Sequence, residues 1–225
     1  MKYTTVYFDL DNTLLDFSAA ERSAINRLLT LYGITPKGDY VRLYSSINRK
    51  YWESFERGEI AREDIFGGRF REFLSAVGAV ADAEKMAADY FILLAAGHDL
   101  MPGAKEVLEY LKGRGYTVCA TTNGVTKTQY KRIAESGIGG FFDYVFISEE
   151  VGVQKPEKGY FDYVLNNTPE KDRERVLIVG DSQSSDILGG INSGIDTCWL
   201  NPAGELAKYK ATYEIKNIKE LCGIL

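Results

Sequence analysis

The chain has 225 residues, 45% of them hydrophobic, which is enough for one large domain or a domain carrying an insertion. Its 27 basic and 32 acidic residues give a formal net charge of -5 with no dense Lys/Arg block, which disfavours a polymeric nucleic acid as partner but not a single nucleotide. The longest apolar runs, such as FILLAA ending at Ala96, fall far short of the roughly 20 residues that span a bilayer, so no membrane partner is expected.

The N-terminal MKYTTVYFDL lacks the long apolar region of a signal peptide and reads as a first buried strand, TTVYFDL from Thr4, in a cytoplasmic protein. From about Phe17 to Gly97 no strand pattern follows, only amphipathic helical ones. The first begins at Ser18, where Ser-x-x-Glu with Glu21 predicts a capping box. Further helices are predicted over 39–55, 61–77 and 82–96, separated by turn signals at Thr35-Pro36, Gly58 and Gly78. The chain returns through Met101-Pro102-Gly103 to alternating elements: helix from Ala104, strand YTVCATT from Tyr116, helix from Thr126, strand YVFIS from Tyr144, helix from Pro156, strand VLIVGD from Val176, helix from Ser184 and strand DTCWL from Asp196. TYEI near Thr212 is a weaker edge strand.

Short, nearly continuous apolar runs suit strands covered on both faces, and strict alternation with helices implies right-handed crossovers. The expected fold is therefore an α/β, Rossmann-like, doubly wound parallel sheet formed by residues 1–16 and 97–225, interrupted by an all-helical domain over 17–96. Cys119, Cys198 and Cys222 are odd in number and widely spaced, which predicts small apolar residues in a reducing cytoplasm rather than disulfides or a zinc site. His98, the only histidine, lies near the return to the core and reads as structural or exposed.

In an open parallel sheet, ligands bind beyond the carboxyl ends of the strands. Four polar clusters fall there: Asp9-Leu10-Asp11-Asn12-Thr13, Thr121-Thr122-Asn123-Gly124, Lys155-Pro156, and Gly180-Asp181-Ser182 with Asp186 beyond. Asp9 and Asp11 crowd two carboxylates together, which is costly without a cation. With Asp181 and Asp186 they make a hard oxygen site suited to Mg²⁺. Lys155 brings positive charge for a phosphate, and Thr122 with the backbone N–H groups around Asn123 and Gly124 can donate to phosphate oxygens. Asp9 is the expected nucleophile at phosphorus, screened by the metal and Lys155, while Asp11 protonates the leaving alcohol and later deprotonates water.

FDLDNT, TTNG, QKPE and GDSQSSD, in that order, resemble the four motifs of the haloacid dehalogenase-like hydrolase superfamily. The resemblance implies a metal held by Asp9, the backbone carbonyl of Asp11, and Asp181, with Asp186 in support. It also implies that the helical insert is a type 1 (C1) cap. ISEEVGVQKP from Ile147 and SDILGGINSGIDTCWLN from Ser185 further resemble the pyrimidine 5′-nucleotidase branch, as does the segment around Asn48, Trp52, Gly58, Arg69 and Phe70. That implies a small phosphate ester, a nucleotide, as substrate, with Trp52 or a neighbouring Phe as a flat surface for the base and Asn48 and Arg69 reading its edge; a monomer or homodimer is expected. A sugar-phosphate or phosphoglycolate phosphatase is the alternative. A metal-free carbon–halogen hydrolase and a non-catalytic binding module are disfavoured by the presence of Asp11, Asp181 and Asp186.

Overall fold

The computed structural model describes residues 2–225, which divide into two compact units, one built from the chain up to Asp16 with His98–Leu225 and the other from Phe17–Gly97. The first unit carries a six-stranded sheet of β1 (Thr5–Phe8), β2 (Thr117–Thr122), β3 (Tyr144–Ile147), β4 (Val176–Gly180), β5 (Asp196–Leu200) and β6 (Tyr213–Ile215). Their order is β3-β2-β1-β4-β5-β6 and every pairing is parallel. The chain winds outward from β1 to β3, then crosses to β4 on the other side of β1. The reversal falls between β1 and β4, where such a sheet opens a crevice.

Side chains alternate across these strands. Val6 and Phe8 of β1, with Val118, Ala120, Leu177 and Val179, pack against Val107, Leu108 and Leu111 of α5 (Ala104–Gly113). Tyr7, Cys119 and Ile178 point the other way, onto Tyr160, Phe161 and Val164 of α8 (Lys158–Asn166). Two faces covered in this way explain why the strands read as unbroken apolar runs. Between β2 and β3 lies α6 (Thr126–Glu135), and β3 leads into the single turn α7 (Ser148–Val151). A turn of π-helix, Gln183–Ile187, precedes α9 (Leu188–Ser193), so the stretch predicted from Ser184 opens in wider backbone than an α-helix.

The second unit holds α1 (Phe17–Leu31), α2 (Tyr40–Glu56), α3 (Arg62–Val77) and α4 (Ala83–Leu94). Its core joins Ala24 and Leu28, Tyr44 and Ile47, Phe70 and Phe73, and Met86 and Tyr90, one pair from each helix. Asp39 and Asp82 cap α2 and α4 by accepting backbone N–H bonds, and Gly78 ends α3 with a φ of 66°, left-handed backbone that suits glycine. One expectation is corrected. α1 begins at Phe17, so Ser18 stands inside its first turn, and the Glu21 carboxylate accepts from Ser45 and Asn48 of α2.

Where the sequence leaves and re-enters the sheet unit, its two strands are paired. Leu15 bridges Leu100 antiparallel, Asp16 N donates to Asp99 O at 2.8 Å, and Met101 N donates to Leu14 O at 2.9 Å. All three cysteines are free, Cys119 and Cys198 within the core. No helix among the described residues is long and apolar enough to cross a membrane.

Candidate active site

At the carboxyl ends of β1, β2 and β4 the sheet gathers buried charge. The Lys155 ammonium, 1% exposed, donates to Asp9 Oδ1 at 2.7 Å, Asp186 Oδ1 at 2.7 Å and Thr121 O at 2.9 Å, using its three N–H bonds. Its backbone is clasped by Asn123, whose Nδ2 donates to Lys155 O at 2.9 Å and whose Oδ1 accepts from Lys155 N at 3.0 Å. Asn123 therefore fixes the lysine between the strand ends. The Lys155-Pro156 peptide is cis.

Asp9, Asp181 and Asp186 each bring a carboxylate oxygen within 4.8 Å of the others. Burial pushes the Asp9 carboxyl up to about 7, because the neighbouring Asp186 and Asp11 carboxylates add to desolvation and Lys155 only partly offsets both. Asp181, partly exposed, is driven well above the usual carboxylate range by desolvation and by Asp9 and Asp186. Burial opposes the charge on Lys155, but Asp186 and Asp9 hold it protonated beyond the ordinary lysine range. Three carboxylates around one ammonium leave an excess of negative charge, and the donors are all hard oxygens. This set fits a divalent cation such as Mg²⁺.

Asp186 has committed both oxygens, one to Lys155 and the other to Ser182 N at 3.2 Å, which suits a supporting place behind the cluster. A Cβ added at Gly180 would stand 2.1 Å from Asp186 Oδ2, so the end of β4 must be glycine for that carboxylate to lie against it. Trp199 Nε1 donates to Asp181 O at 2.8 Å and steadies the backbone of that ligand candidate.

The phosphate-binding candidates are less uniform. Thr122 Oγ1 accepts from Gly124 N at 3.0 Å and from Gln129 Nε2 at 2.9 Å, so the proton of its hydroxyl is what remains to offer a ligand. The Gly124 N–H points at Thr122 rather than outward, and the Asn123 side chain serves Lys155. Asp11 lies with its carboxylate on α6, where Oδ2 accepts from Gln129 Nε2 at 2.9 Å and Oδ1 from Arg132 Nη1. Neither Gln129 nor Arg132 stands out in the sequence. Their i,i+3 spacing on the helix after Thr122 is the available signal, but a polar helix face ordinarily reads as solvated.

The remaining candidates lie in the helical unit. Asn48 and Arg69 are 3% and 1% exposed, and Arg69 Nη1 donates to Asn48 Oδ1 at 2.5 Å while Asn48 Nδ2 donates to Glu21 Oε1 at 2.7 Å. The Arg69 guanidinium lies 4.8 Å from the Tyr90 ring centroid and 5.1 Å from that of Phe91. Both side chains are therefore turned into the interior of the helical unit, where they bond to each other. Trp52 is half-buried, edge-on to Phe55 at 5.9 Å. His98 is half-buried, its Nδ1 3.5 Å from Glu135.

The family model for haloacid dehalogenase-like hydrolases matches residues 3–194. The chain is 39% identical to the HAD-hydrolase YfnB of Bacillus subtilis, covering 100% of this chain and 96% of that one. It is 35% identical to the pyrimidine 5′-nucleotidase PynA of Streptococcus pneumoniae, over 100% of this chain and 96% of the relative. Against the pyrimidine 5′-nucleotidase YjjG of Escherichia coli it is also 35% identical, over 89% and 87%. A crystal structure of YfnB bound to magnesium superposes with a TM-score of 0.95, covering 100% of this chain and 99% of YfnB.

Proposed function

The chain belongs to the haloacid dehalogenase-like hydrolase family, and from that premise we propose that it is a magnesium-dependent phosphatase acting on small phosphate monoesters, foremost pyrimidine nucleoside 5′-monophosphates. The observation that carries the chemistry is the cluster of Asp9, Asp181 and Asp186 around Lys155, with Asp11 anchored separately two residues from Asp9. Asp9, Asp181 and the backbone carbonyl of Asp11 would hold the cation, with Asp186 behind them. When bound, it supplies positive charge that neutralises the carboxylates and the transferring phosphoryl group.

The steps belong to the chain's own residues. An Asp9 carboxylate oxygen attacks phosphorus in line, forming a P–O bond to Asp9 as the P–O bond to the ester breaks. The departing alkoxide takes the proton of the Asp11 carboxyl, and the Thr122 hydroxyl and Lys155 stabilise the phosphoryl oxygens. Asp11, now ionised, removes a proton from water, whose oxygen attacks phosphorus. The bond to Asp9 breaks, inorganic phosphate leaves, and both carboxyls regain their starting states.

The substrate class is supported by the pyrimidine 5′-nucleotidase relatives and by the partly exposed Trp52, a flat ring on which a base can stack. In this reading Phe17–Gly97 is the cap that provides substrate selection. Free cysteines and a small soluble ester suit the cytoplasm. Measuring kcat/KM for uridylate, adenylate, glucose 6-phosphate and phosphoglycolate with Mg²⁺ and with EDTA tests both parts. Uridylate is expected to lead by at least about tenfold, and chelation to abolish turnover. Equal constants for uridylate and the sugar phosphate would remove the nucleotidase assignment, and full activity in EDTA would remove the metal.

A further inference from the structure

The Asp11 carboxylate is held by side chains of α6, whereas those of Asp9 and Asp186 meet Lys155. Its side chain is 29% exposed, so water is available to it, and each oxygen accepts one hydrogen bond from α6, which leaves a lone pair on each for a proton. Arg132 is fully buried, and the same Nη1 that reaches Asp11 also donates to Gln129 Oε1 at 3.1 Å. Gln129, 1% exposed, divides its amide nitrogen between Asp11 Oδ2 and Thr122 Oγ1, both at 2.9 Å. A Cβ at Gly124 would stand 2.6 Å from Gln129 Nε2, so the turn after β2 leaves that amide its place. Burying a guanidinium completely is expensive unless it is paired. Here the pairing partner is a side chain on the loop after β1, far away in sequence.

We propose that Gln129 and Arg132 are positioning residues for the reaction, a two-point brace on α6 that sets the direction of the Asp11 carboxyl and locks it to the hydroxyl of Thr122. The inference rests on the catalytic reading given above for Asp11. Asn12 follows with a φ of 57°, so the chain turns sharply after Asp11, and the hydrogen bonds to the Asp11 carboxylate come from α6. A carboxyl displaced by about 1 Å loses its alignment with the leaving oxygen and the attacking water, although Asp9 still meets phosphorus. Because the Gln129 amide donates to both Asp11 and Thr122, it ties the acid/base group to the hydroxyl assigned to the phosphate.

The brace predicts a loss that depends on the leaving group. In single turnovers with uridylate and Mg²⁺, Arg132→Met is expected to slow phosphoryl transfer by about 30-fold to 100-fold, and Gln129→Met by about tenfold, with KM changed less than threefold. With p-nitrophenyl phosphate, whose leaving group needs little protonation, the burst of nitrophenol should fall less than about threefold, followed by slow steady turnover as phosphoenzyme accumulates. Arg132→Lys should recover part of the uridylate rate by restoring one charged donor. Equal losses on both substrates, or wild-type kinetics in both variants, overturn the brace. Should Arg132→Met fail to fold, Gln129→Met, which strands no buried charge, decides the matter by the same comparison of substrates. Asp11→Asn is the reference: if it shows no such split, the catalytic reading itself fails, whereas a split in Asp11→Asn without one in the α6 variants removes only the brace.

Discussion

In the α/β unit Lys155 stands among Asp9, Asp186 and, close by, Asp181, whereas in the helical unit Arg69 meets Glu21 only through the amide of Asn48 and is otherwise surrounded by aromatic rings. Both are fully buried cations. The first is outnumbered by carboxylates that want a second positive charge, and their elevated proton affinity records the crowding. The second is balanced in charge by one carboxylate reached through an amide and is faced by the rings of Tyr90, Phe91 and Phe70, while its Nε and Nη2 find no hydrogen-bond acceptor among the described residues. Unbalanced charge at a strand-end crevice prepares a binding site, and balanced charge inside a helical bundle fixes the packing.

The sharpest way to break that contrast is to remove one charge from each cluster. Asp9→Asn is expected to lower kcat by at least about ten-thousandfold, because an amide is a poor nucleophile at phosphorus. Its melting temperature without metal should stay level or rise. Burial pushes the folded-state Asp9 carboxyl up to about 7 from 3.8, so between those values the folded state holds a proton the unfolded chain has shed. Stability of the metal-free protein therefore falls as pH rises through that window, and Asp9→Asn should flatten the fall in a series of thermal melts. A mutant that melts well below wild type across that range would mean the acidic cluster is structural.

Arg69→Ala should do the reverse. Leaving Glu21 and Asn48 buried without their cation is expected to cost the helical unit about 3–5 kcal/mol in urea denaturation, and Arg69→Met less, since its apolar chain refills the aromatic surround. If Arg69→Ala melts like wild type but loses selectivity for uridylate, the guanidinium reads substrate after all and the assignment of Arg69 to packing is wrong. The smallest effect is reserved for Lys50→Ala. Its ion pair with Glu72 at 3.0 Å joins side chains 66% and 37% exposed, and denaturation should register less than about 1 kcal/mol. A larger loss would show that charge placement in the helices matters well beyond the buried set.

The parts of this molecule readable from sequence are those written in contiguous residues. β1, β2 and β4 are short, mostly apolar runs ending in polar residues, so β1 and Asp9, β2 and Thr122, and β4 and Asp181 could be placed together by topology alone. The helices were equally legible from their 3.6-residue period. What escaped depends on distant partners. Nothing local tells Glu21 to bond Ser45 and Asn48 of the next helix, or tells Arg69 to turn inward among rings. Gln129 and Arg132 sit in a stretch, TKTQYKRIAE, that is polar nearly throughout, and only the approach of Asp11 from β1 distinguishes them from surface residues. Trp52, Asn48 and Arg69 share one helical region by sequence, yet side-chain burial separates the first from the other two.

The pairing of Leu14–Asp16 with Asp99–Met101 has an architectural consequence. Seen from the sheet, Phe17–Gly97 is the tip of a hairpin whose stem is already zipped shut before the first helix begins. The entropy of closing such a tip grows only with the logarithm of its length, so the sheet is nearly indifferent to how much chain hangs there. By this argument an insert of another length between the same two ends should leave the closure cost, and with it the sheet that holds Asp9, Lys155 and Asp186, little changed.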